Sequence, residues 1–402
     1  MNKNEKILKQ KIVFTVILVI IYAAIRNIPL LNVDIAAYDK VNIDSQNVLL
    51  SAIGGDANQY SIFALGIAPY MLSSLLVTIV CAIFGIGTKR KISPKKMNRL
   101  MVEAMLLLSI IQAVLRVRNI HFNVEGVELY LVQVIAAIEL ITGAVLIMFL
   151  TDYNKKYGIG GQGVIIFANI VDSMLGDTSK KVMGQSIKNL VIIFSICIFV
   201  LILFIFLENA EIRMPVQRVS IHNIYADKNY IAIKLNPIGI MPIMFSTAVF
   251  LLPQLISQIL LFFFKDNSSI IWLNKNMVMT SVLGMIVYLV IIYLLNIGLS
   301  FAFINPRELA DNLLKAGDCI SEFRSGKATR KYLSRVVFGV SFFSSTVMCL
   351  CIGLPFYLKQ LDIISGDLYM LPTTFMMLTG IGTSLYQEYL SYRSYDSYKP
   401  FF

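Results

Sequence analysis

Side chains able to do chemistry are sparse in this chain, and they do not converge. The two histidines, His121 and His222, stand far apart and without ligand-like neighbours. Of the five cysteines, Cys81, Cys197, Cys319, Cys349 and Cys351, four lie in apolar runs, where cysteine packs as a small hydrophobe. None forms a Cys-x-x-Cys pair, so neither a zinc site nor a disulfide framework is expected, and no cofactor is implied. There is no Walker, His-Glu-x-x-His or Gly-x-Ser-x-Gly pattern. An enzyme is not expected, and energy for any mechanical work must come from a partner ATPase or the membrane potential. The acids within apolar runs are chiefly Glu103, near a run's end where water reaches, and Glu139, at the middle of one with no evident role.

What must position these residues is a membrane. The chain has 402 residues, 57% hydrophobic and only 15% charged, with a mean hydropathy of +0.73. A soluble domain carries roughly 25% charged residues. A bilayer core about 30 Å thick takes about 20 apolar residues per helix. On that measure ten spans are expected, at 12–31, 61–84, 99–117, 129–151, 162–176, 185–207, 237–264, 278–303, 336–358 and 369–390. The first follows Lys3, Lys6, Lys9 and Lys11 but has no small-x-small cleavage site, so it reads as a retained helix and not a signal peptide.

The net charge of +11 would suggest nucleic acid on a soluble protein; on a membrane protein it reports orientation. With the N-terminus in the cytoplasm, 25 of the 35 Lys and Arg fall in cytoplasmic segments, so both termini are expected there. Ten spans divide into halves 1–176 and 177–402, and an odd number per half implies inverted halves. Two cytoplasmic segments, 208–236 and 304–335, exceed simple turns. Within the first, β-branched and aromatic runs flank Ala-Asp-Lys-Asn and predict a hairpin. In the second, Asn305 is placed to cap a helix with Pro306 at its first position, Glu308 in its first turn and Gly317 at its end.

Six stretches in order carry a family resemblance. SIFALGIAPY (61–70) follows the polar stretch SAIGGDANQY (51–60). Then come KYGIGGQGVIIFANIV (156–171), RMPVQ (213–217) and KLNPIGIMPIMF (234–245), with INPRELADNLLKAGDCISEFRSGKATRKYL (304–333) and TSLYQEYLSYRSYDSY (383–398) after them. Together they resemble the SecY pore of bacterial protein translocases. The resemblance implies an all-α channel of two inverted five-helix halves with a cytoplasmic hairpin between the sixth and seventh spans. It implies a plasma-membrane protein that passes unfolded preproteins bearing signal peptides. Its implied partners are a SecA-type motor ATPase, a SecE-like small membrane subunit and anionic lipids, with no nucleic acid. The chain is shorter than most housekeeping members, keeps only Arg213 of the usual arginine pair, and is rich in Ile, Lys and Asn. In these departures it is similar to the accessory SecY of Gram-positive bacteria, with an accessory SecA as motor and serine-rich glycosylated adhesins as cargo. A housekeeping SecY is the alternative. A small-molecule secondary transporter is a further one, disfavoured because the span centres hold almost no charge.

The resemblance also assigns roles. Ile67, Met71, Ile166, Ile170, Met244 and Met377 fall at pore-ring positions. The i, i+4 spacing of Ile67/Met71 and of Ile166/Ile170 independently puts each pair on one helix face. A ring of adaptable apolar side chains would bar ions by dewetting, although in so apolar a chain most Ile and Met pack between helices or face lipid. Gly54, Gly55, Asp56 and Asn58 would belong to an external plug, or else to an ordinary external loop. Pro69, Ser73 and Ser74 in the second span face Asn236, Pro242 and Ser246 at the seventh as a lateral gate. There proline is expected to kink and small polar residues to permit reversible contact. Arg213, Arg218, Arg324, Lys327 and Arg330 would dock the motor. Positive-inside bias accounts for several of these, and least well for Arg324.

Overall fold

The computed structural model describes residues 3–33, 60–83, 93–118, 120, 122–124, 127–174, 187–218, 229–263, 268–278, 281–320, 323–324, 326–361 and 366–394. Its helices in chain order are α1 (Lys3–Arg26), α2 (Ala68–Ile83), α3 (Pro94–Val117), α4 (Val127–Tyr157), α5 (Gly161–Ser173), α6 (Ile187–Asn209) and α7 (Met241–Phe263). They continue as α8 (Ser268–Asn276), α9 (Val282–Ile304), α10 (Pro306–Ala316), α11 (Lys327–Gln360) and α12 (Leu371–Ser394). Each of the ten expected spans has its helix. By length and composition, α1, α3, α4, α6, α9 and α11 can each cross a membrane, and α2, α5 and α7 carry shorter apolar segments. Large apolar side chains such as Ile20, Phe194, Leu294 and Leu354 point outward and are more than half exposed, as suits helices set in lipid. The chain is a multi-pass membrane protein.

Two helices fall outside the ten. The nine-residue α8 is too short to register as a span. Helix α10 forms as its capping residues predict. The Asn305 side chain accepts from the Glu308 N–H and donates to the Glu308 carboxylate at 3.0 Å, Pro306 takes the first position, and Gly317 ends the helix with φ 72°.

The second span starts later than its apolar run. Residues 61–67 are turns, and the helix begins at Ala68. This stretch is held by its neighbours: the Leu30 N–H donates to the Tyr60 carbonyl at 2.7 Å and the Ile62 N–H to the Ile28 carbonyl at 3.2 Å. At Gly143 of α4 a Cβ would meet the Ile62 carbonyl oxygen at 2.1 Å, so only glycine lets this irregular backbone lie against α4. The tight reversal from α4 into α5 has a similar cause. Asn154 donates to the carbonyls of Ile159 (3.0 Å) and Gly161 (2.9 Å), and Gly160 takes φ 77° where any Cβ would strike Leu385 of α12. That is the physical content of the Gly-Ile-Gly-Gly sequence.

The two long segments 208–236 and 304–335 come together as one unit in their described residues. β1 (Glu211–Arg218) pairs antiparallel with β2 (Tyr230–Lys234) over its first half and with β3 (Asp318–Ile320) over its second, giving the order β2-β1-β3. Pro215, which has no N–H to donate, sits where β1 passes from one partner to the other. The expected hairpin is therefore present, with a third strand from the other segment. Met214, Val216 and Ile233 pack with Ala310 and Leu313 of α10 and Leu333 and Val337 of α11 as a second apolar core. The main core runs through the membrane helices.

Helices α9 and α11 are joined by a buried polar knot. The Asn296 amide donates to Ser344 Oγ at 2.8 Å and Ser345 Oγ at 3.0 Å, and all three residues are fully buried. Such bonds contribute about 0.6 kcal/mol each on average and up to about 1.7 kcal/mol in a membrane bundle. Asn296→Leu is expected to lower unfolding free energy in mixed micelles by roughly that range. A cycle with Ser344→Ala should show coupling of about 0.5 kcal/mol or more; strictly additive losses would contradict the knot.

Candidate functional site

Ring assignments can be judged first by burial. Ile67, Met71, Ile166, Ile170, Met244 and Met377 are each at most 4% exposed and all lie in one continuous apolar cluster. They come from four helical segments: α2 and the turn before it, α5, α7 and α12. Ile67 precedes the first residue of α2, yet its carbonyl accepts the Met71 N–H at 3.0 Å, so the i, i+4 relation survives. On the side of the sheet, a cavity of about 250 Å3 leads inward between α5, α7 and α12. Lys234 and Asn236 line its outer part, Gly163 and Gly380 its walls, and Met244 stands one turn into α7.

The gate residues lie on helices that touch. α2 and α7 pack against each other, with Ser73, Ser246 and Thr247 fully buried. Each hydroxyl donates to its own helix: Ser73 to the Tyr70 carbonyl (2.8 Å), Ser74 to Met71 (2.8 Å), Ser246 to Ile243 (2.8 Å) and Thr247 to Met244 (2.7 Å). None of these bonds ties α2 to α7, so parting the two helices breaks none of them. The kinking expected of the gate prolines needs correction. Pro69 and Pro242 occupy the second positions of α2 and α7, where an N–H would be unpaired in any case, so they start helices and do not bend them. Further along α7, Pro253 does stand inside the helix. Asn236 is buried just before α7, and its amide donates to the Gly239 carbonyl at 3.0 Å.

The basic residues divide into engaged and free. Arg213 donates to Glu211 at 2.7 Å and lies over the Tyr230 ring at 4.8 Å, so the hairpin itself uses it. Arg218 ends β1 opposite Asp318. Arg324, Lys327 and Arg330 are exposed, and their charged groups have no partner among the described residues. The backbone at Arg324 is fixed, since Thr329 donates to its carbonyl at 2.9 Å. The plug assignments Gly54, Gly55, Asp56 and Asn58 lie outside the described residues.

Both acids singled out in the spans have local employment. Glu103 pairs with Arg99 one turn away at 2.9 Å, and Glu139 accepts the Leu31 N–H at 3.2 Å. Glu139 thus holds the loop after α1. A larger polar device escaped the sequence reading. Tyr70, the last residue of SIFALGIAPY, donates to Asp152 Oδ1 at 3.0 Å and accepts from Lys155 Nζ at 2.6 Å, pinning α2 to α4 beside Met71. Likewise Tyr22 on α1 donates to Asn169 on α5 at 3.0 Å and stacks on Phe63 at 5.3 Å. Glu208, at the end of α6, is buried and accepts from Thr383 of α12 beside the cavity. A tyrosine ending a motif and a lone Asn in an apolar run are the available signals, but neither names its partner.

Tyr70→Phe keeps the ring and removes the bridging hydroxyl. Hydrogen bonds to charged groups contribute about 1.5–3 kcal/mol, so a stability loss of that order is expected in detergent unfolding. A double-mutant cycle with Asp152→Asn should show coupling; additivity within about 0.3 kcal/mol would mean the contact contributes nothing.

Comparison with known proteins follows the same lines. The sequence model of the SecY family matches residues 61–386. The chain is 29% identical over 376 residues to an accessory Sec system protein translocase subunit SecY2 of Leuconostoc gelidum subsp. gasicomitatum, covering 89% of this chain and 88% of that one. It is 28% identical over 405 residues to a subunit of the same description from Streptococcus gordonii, covering 99% of each chain. Among solved structures, one described as the structure of a protein conducting channel superposes with a TM-score of 0.69 at 17% identity, covering 96% of this chain and 93% of that one.

Proposed function

The chain belongs to the SecY family, and from that premise we propose that it is the pore-forming subunit of a protein-export translocase, in its accessory form. What supports the pore reading is that the six side chains the resemblance assigns to a constricting ring are all buried in one apolar cluster, and that one of them, Met244, also lines a cavity of about 250 Å3. An unfolded chain would enter through the cavity and pass the constriction. When idle the constriction would exclude ions, because water in so narrow an apolar neck is unfavourable. Methionine at three of the six positions, Met71, Met244 and Met377, suits a seal that must close around side chains of any shape.

Signal peptides would leave sideways between α2 and α7. With α2 held on α4 through Tyr70, and with Ser73, Ser74, Ser246 and Thr247 each bonded within its own helix, opening the contact between α2 and α7 would break none of these four bonds. The two halves, 1–176 and 177–402, would part about it, and 51–60 would supply the plug. Both termini are assigned to the cytoplasm by the distribution of Lys and Arg. Every described residue of the sheet, α10 and the start of α11 then lies on that side. This platform presents Arg324, Lys327 and Arg330 unpaired, which suits a SecA-type motor; Arg213 and Arg218 would shape the hairpin beside it. A SecE-like subunit is the expected membrane partner. The accessory assignment rests on the relatives described as SecY2 and on the departures from the housekeeping pattern, and its cargo would be large serine-rich glycosylated surface proteins.

The test is deletion of the gene with viability and the external proteome read together. Viable cells that lose one large surface glycoprotein support the accessory reading. Lethality or a broad secretion block assigns the housekeeping role, and intact export with altered solute uptake removes the channel reading. In complemented cells, Arg324→Glu should lower export at least tenfold at unchanged protein level, since a charged contact of about 1.5–3 kcal/mol is reversed. Export within twofold of wild type would exclude Arg324 from motor docking.

A further inference from the structure

Helix α5 is short, 13 residues, and carries two of the six assigned ring residues, Ile166 and Ile170. A short helix depends on how its first turn is held, because its leading N–H groups have no partner within the helix. Two side chains usually hold that turn: the residue before the helix, and an acid three positions on that reaches back to that residue's N–H. Here both positions are glycine, Gly160 and Gly163, and Gly160 makes no side-chain cap. The acid comes from another helix. The Gly160 N–H donates to Glu388 Oε2 of α12 at 2.8 Å, across 228 positions of sequence. Neighbouring groups of the same reversal are bonded from α1 and α4. The Ile159 N–H donates to Thr15 Oγ1 at 2.9 Å, and Asn154 reaches the carbonyls of Ile159 and Gly161. The contact with α12 continues toward the ring. Met377, Ile381, Leu385 and Glu388 follow at spacings of four, four and three, which is one stripe of α12. A Cβ on Gly160 would meet Leu385 Cδ2 at 2.1 Å, and one on Gly163 would lie 3.5 Å from Ile381 Cγ2. Each step forward along α5 is thus a step back along α12, and the next pair in line is Ile166 and Met377. Both are fully buried, in the apolar cluster that also holds Ile170 and Ile381.

We propose that Glu388 is a positioning residue of the pore: it caps α5 from α12 and so sets the register in which Ile166 and Ile170 meet Met377. The inference rests on the pore reading and adds to it a residue outside the ring, eleven positions or roughly 16 Å of helix from Met377. A seal of apolar side chains has no directional bonds of its own, so its register must be set elsewhere. A carboxylate suits that task twice. It accepts the hydrogen bond, and its charge meets the positive end of the α5 dipole. Without it the first turn of α5 is free to unwind or rotate. Ile166 and Ile170 share one face, so a rotation of so short a helix carries both out of the seal together. α5 and α12 lie in the two proposed halves, 1–176 and 177–402, so the bond also ties the halves along a pair of helices other than α2 and α7.

Ion leak through the idle channel tests it, read as iodide efflux from proteoliposomes that hold the purified full-length protein at matched incorporation. Glu388→Ala should raise the leak about tenfold, the shift in an equilibrium when one hydrogen bond to a charged group is lost. Glu388→Gln keeps an acceptor oxygen at the same reach and should stay within about twofold of wild type. If the alanine variant fails to accumulate, Glu388→Asp, which keeps the charge and loses the reach, should leak in its place. Tyr386→Ala, at an exposed residue of the same turn, should leave the seal unchanged. Ile170→Gly, in the ring itself, should leak and shows that the ring is the barrier. A leak from Ile170→Gly with none from Glu388→Ala or Glu388→Asp overturns the positioning role and leaves the pore reading standing. A leak from Tyr386→Ala, or one from Glu388→Gln equal to that of Glu388→Ala, reduces the effect to damage at the end of α12 and overturns it too. No leak from any variant, Ile170→Gly included, removes the pore reading and the inference together.

Discussion

Inside a bilayer a polar group has no water to turn to, and the arrangement of this chain follows from how it meets that condition. Helices satisfy their own backbone, and the serine and threonine hydroxyls of α2 and α7 are returned to carbonyls of the same helix. Where the backbone is irregular, as over 61–67, the segment after α1 bonds to it and α4 packs closely against it. Where side chains cannot be satisfied within one helix, they are paired between two: Tyr70 with Asp152 and Lys155, Tyr22 with Asn169, Asn296 with Ser344 and Ser345. These bonds join α2 to α4, α1 to α5 and α9 to α11. None of these pairs crosses between α2 and α7, the contact assigned to the gate. The polar bonding pattern therefore separates parts that must stay together from the one contact assigned to open.

The apolar groups obey the complementary rule. The same residue types cover the outside, where they meet lipid, and fill the centre, where they meet one another. The difference lies in geometry: Leu294 and Leu354 are more than half exposed, whereas Ile67 and Met377 have no exposure at all. A pore sealed by such groups offers neither charge nor hydrogen bond to an ion, and a passing polypeptide needs only to displace soft contacts. The second core gives the sheet its own support, packing it on α10 and α11 beside the segment that carries Arg324.

Much of this was legible in the residues, and the limit has a physical origin. Apolar run length located a helix for each expected span because the bilayer sets that length, and Asn305, Pro306 and Gly317 announced α10 because capping is local chemistry. The hairpin was legible from its alternating runs. The third strand was not, because Asp318–Ile320 is three residues long and pairs with β1 about a hundred positions earlier. The Tyr70–Asp152 bond spans 82 positions, and in a single sequence nothing links the two. Pro69 and Pro242 were misjudged as kinks because the apolar run starts before the helix does, and proline changes meaning over those few residues. The ring residues were assigned through a resemblance, since Ile and Met in an apolar chain carry no distinguishing mark.

The central claim is that an exported chain passes through the middle of this bundle, and photocrosslinking during stalled export tests it most directly. A photoreactive residue placed singly at Ile67, Met244 or Met377 should join a preprotein arrested in transit, while one at the outward-facing Leu354 or Val16 should join lipid alone. Crosslinks to the preprotein from the outer positions, with none from the three central ones, would contradict the account.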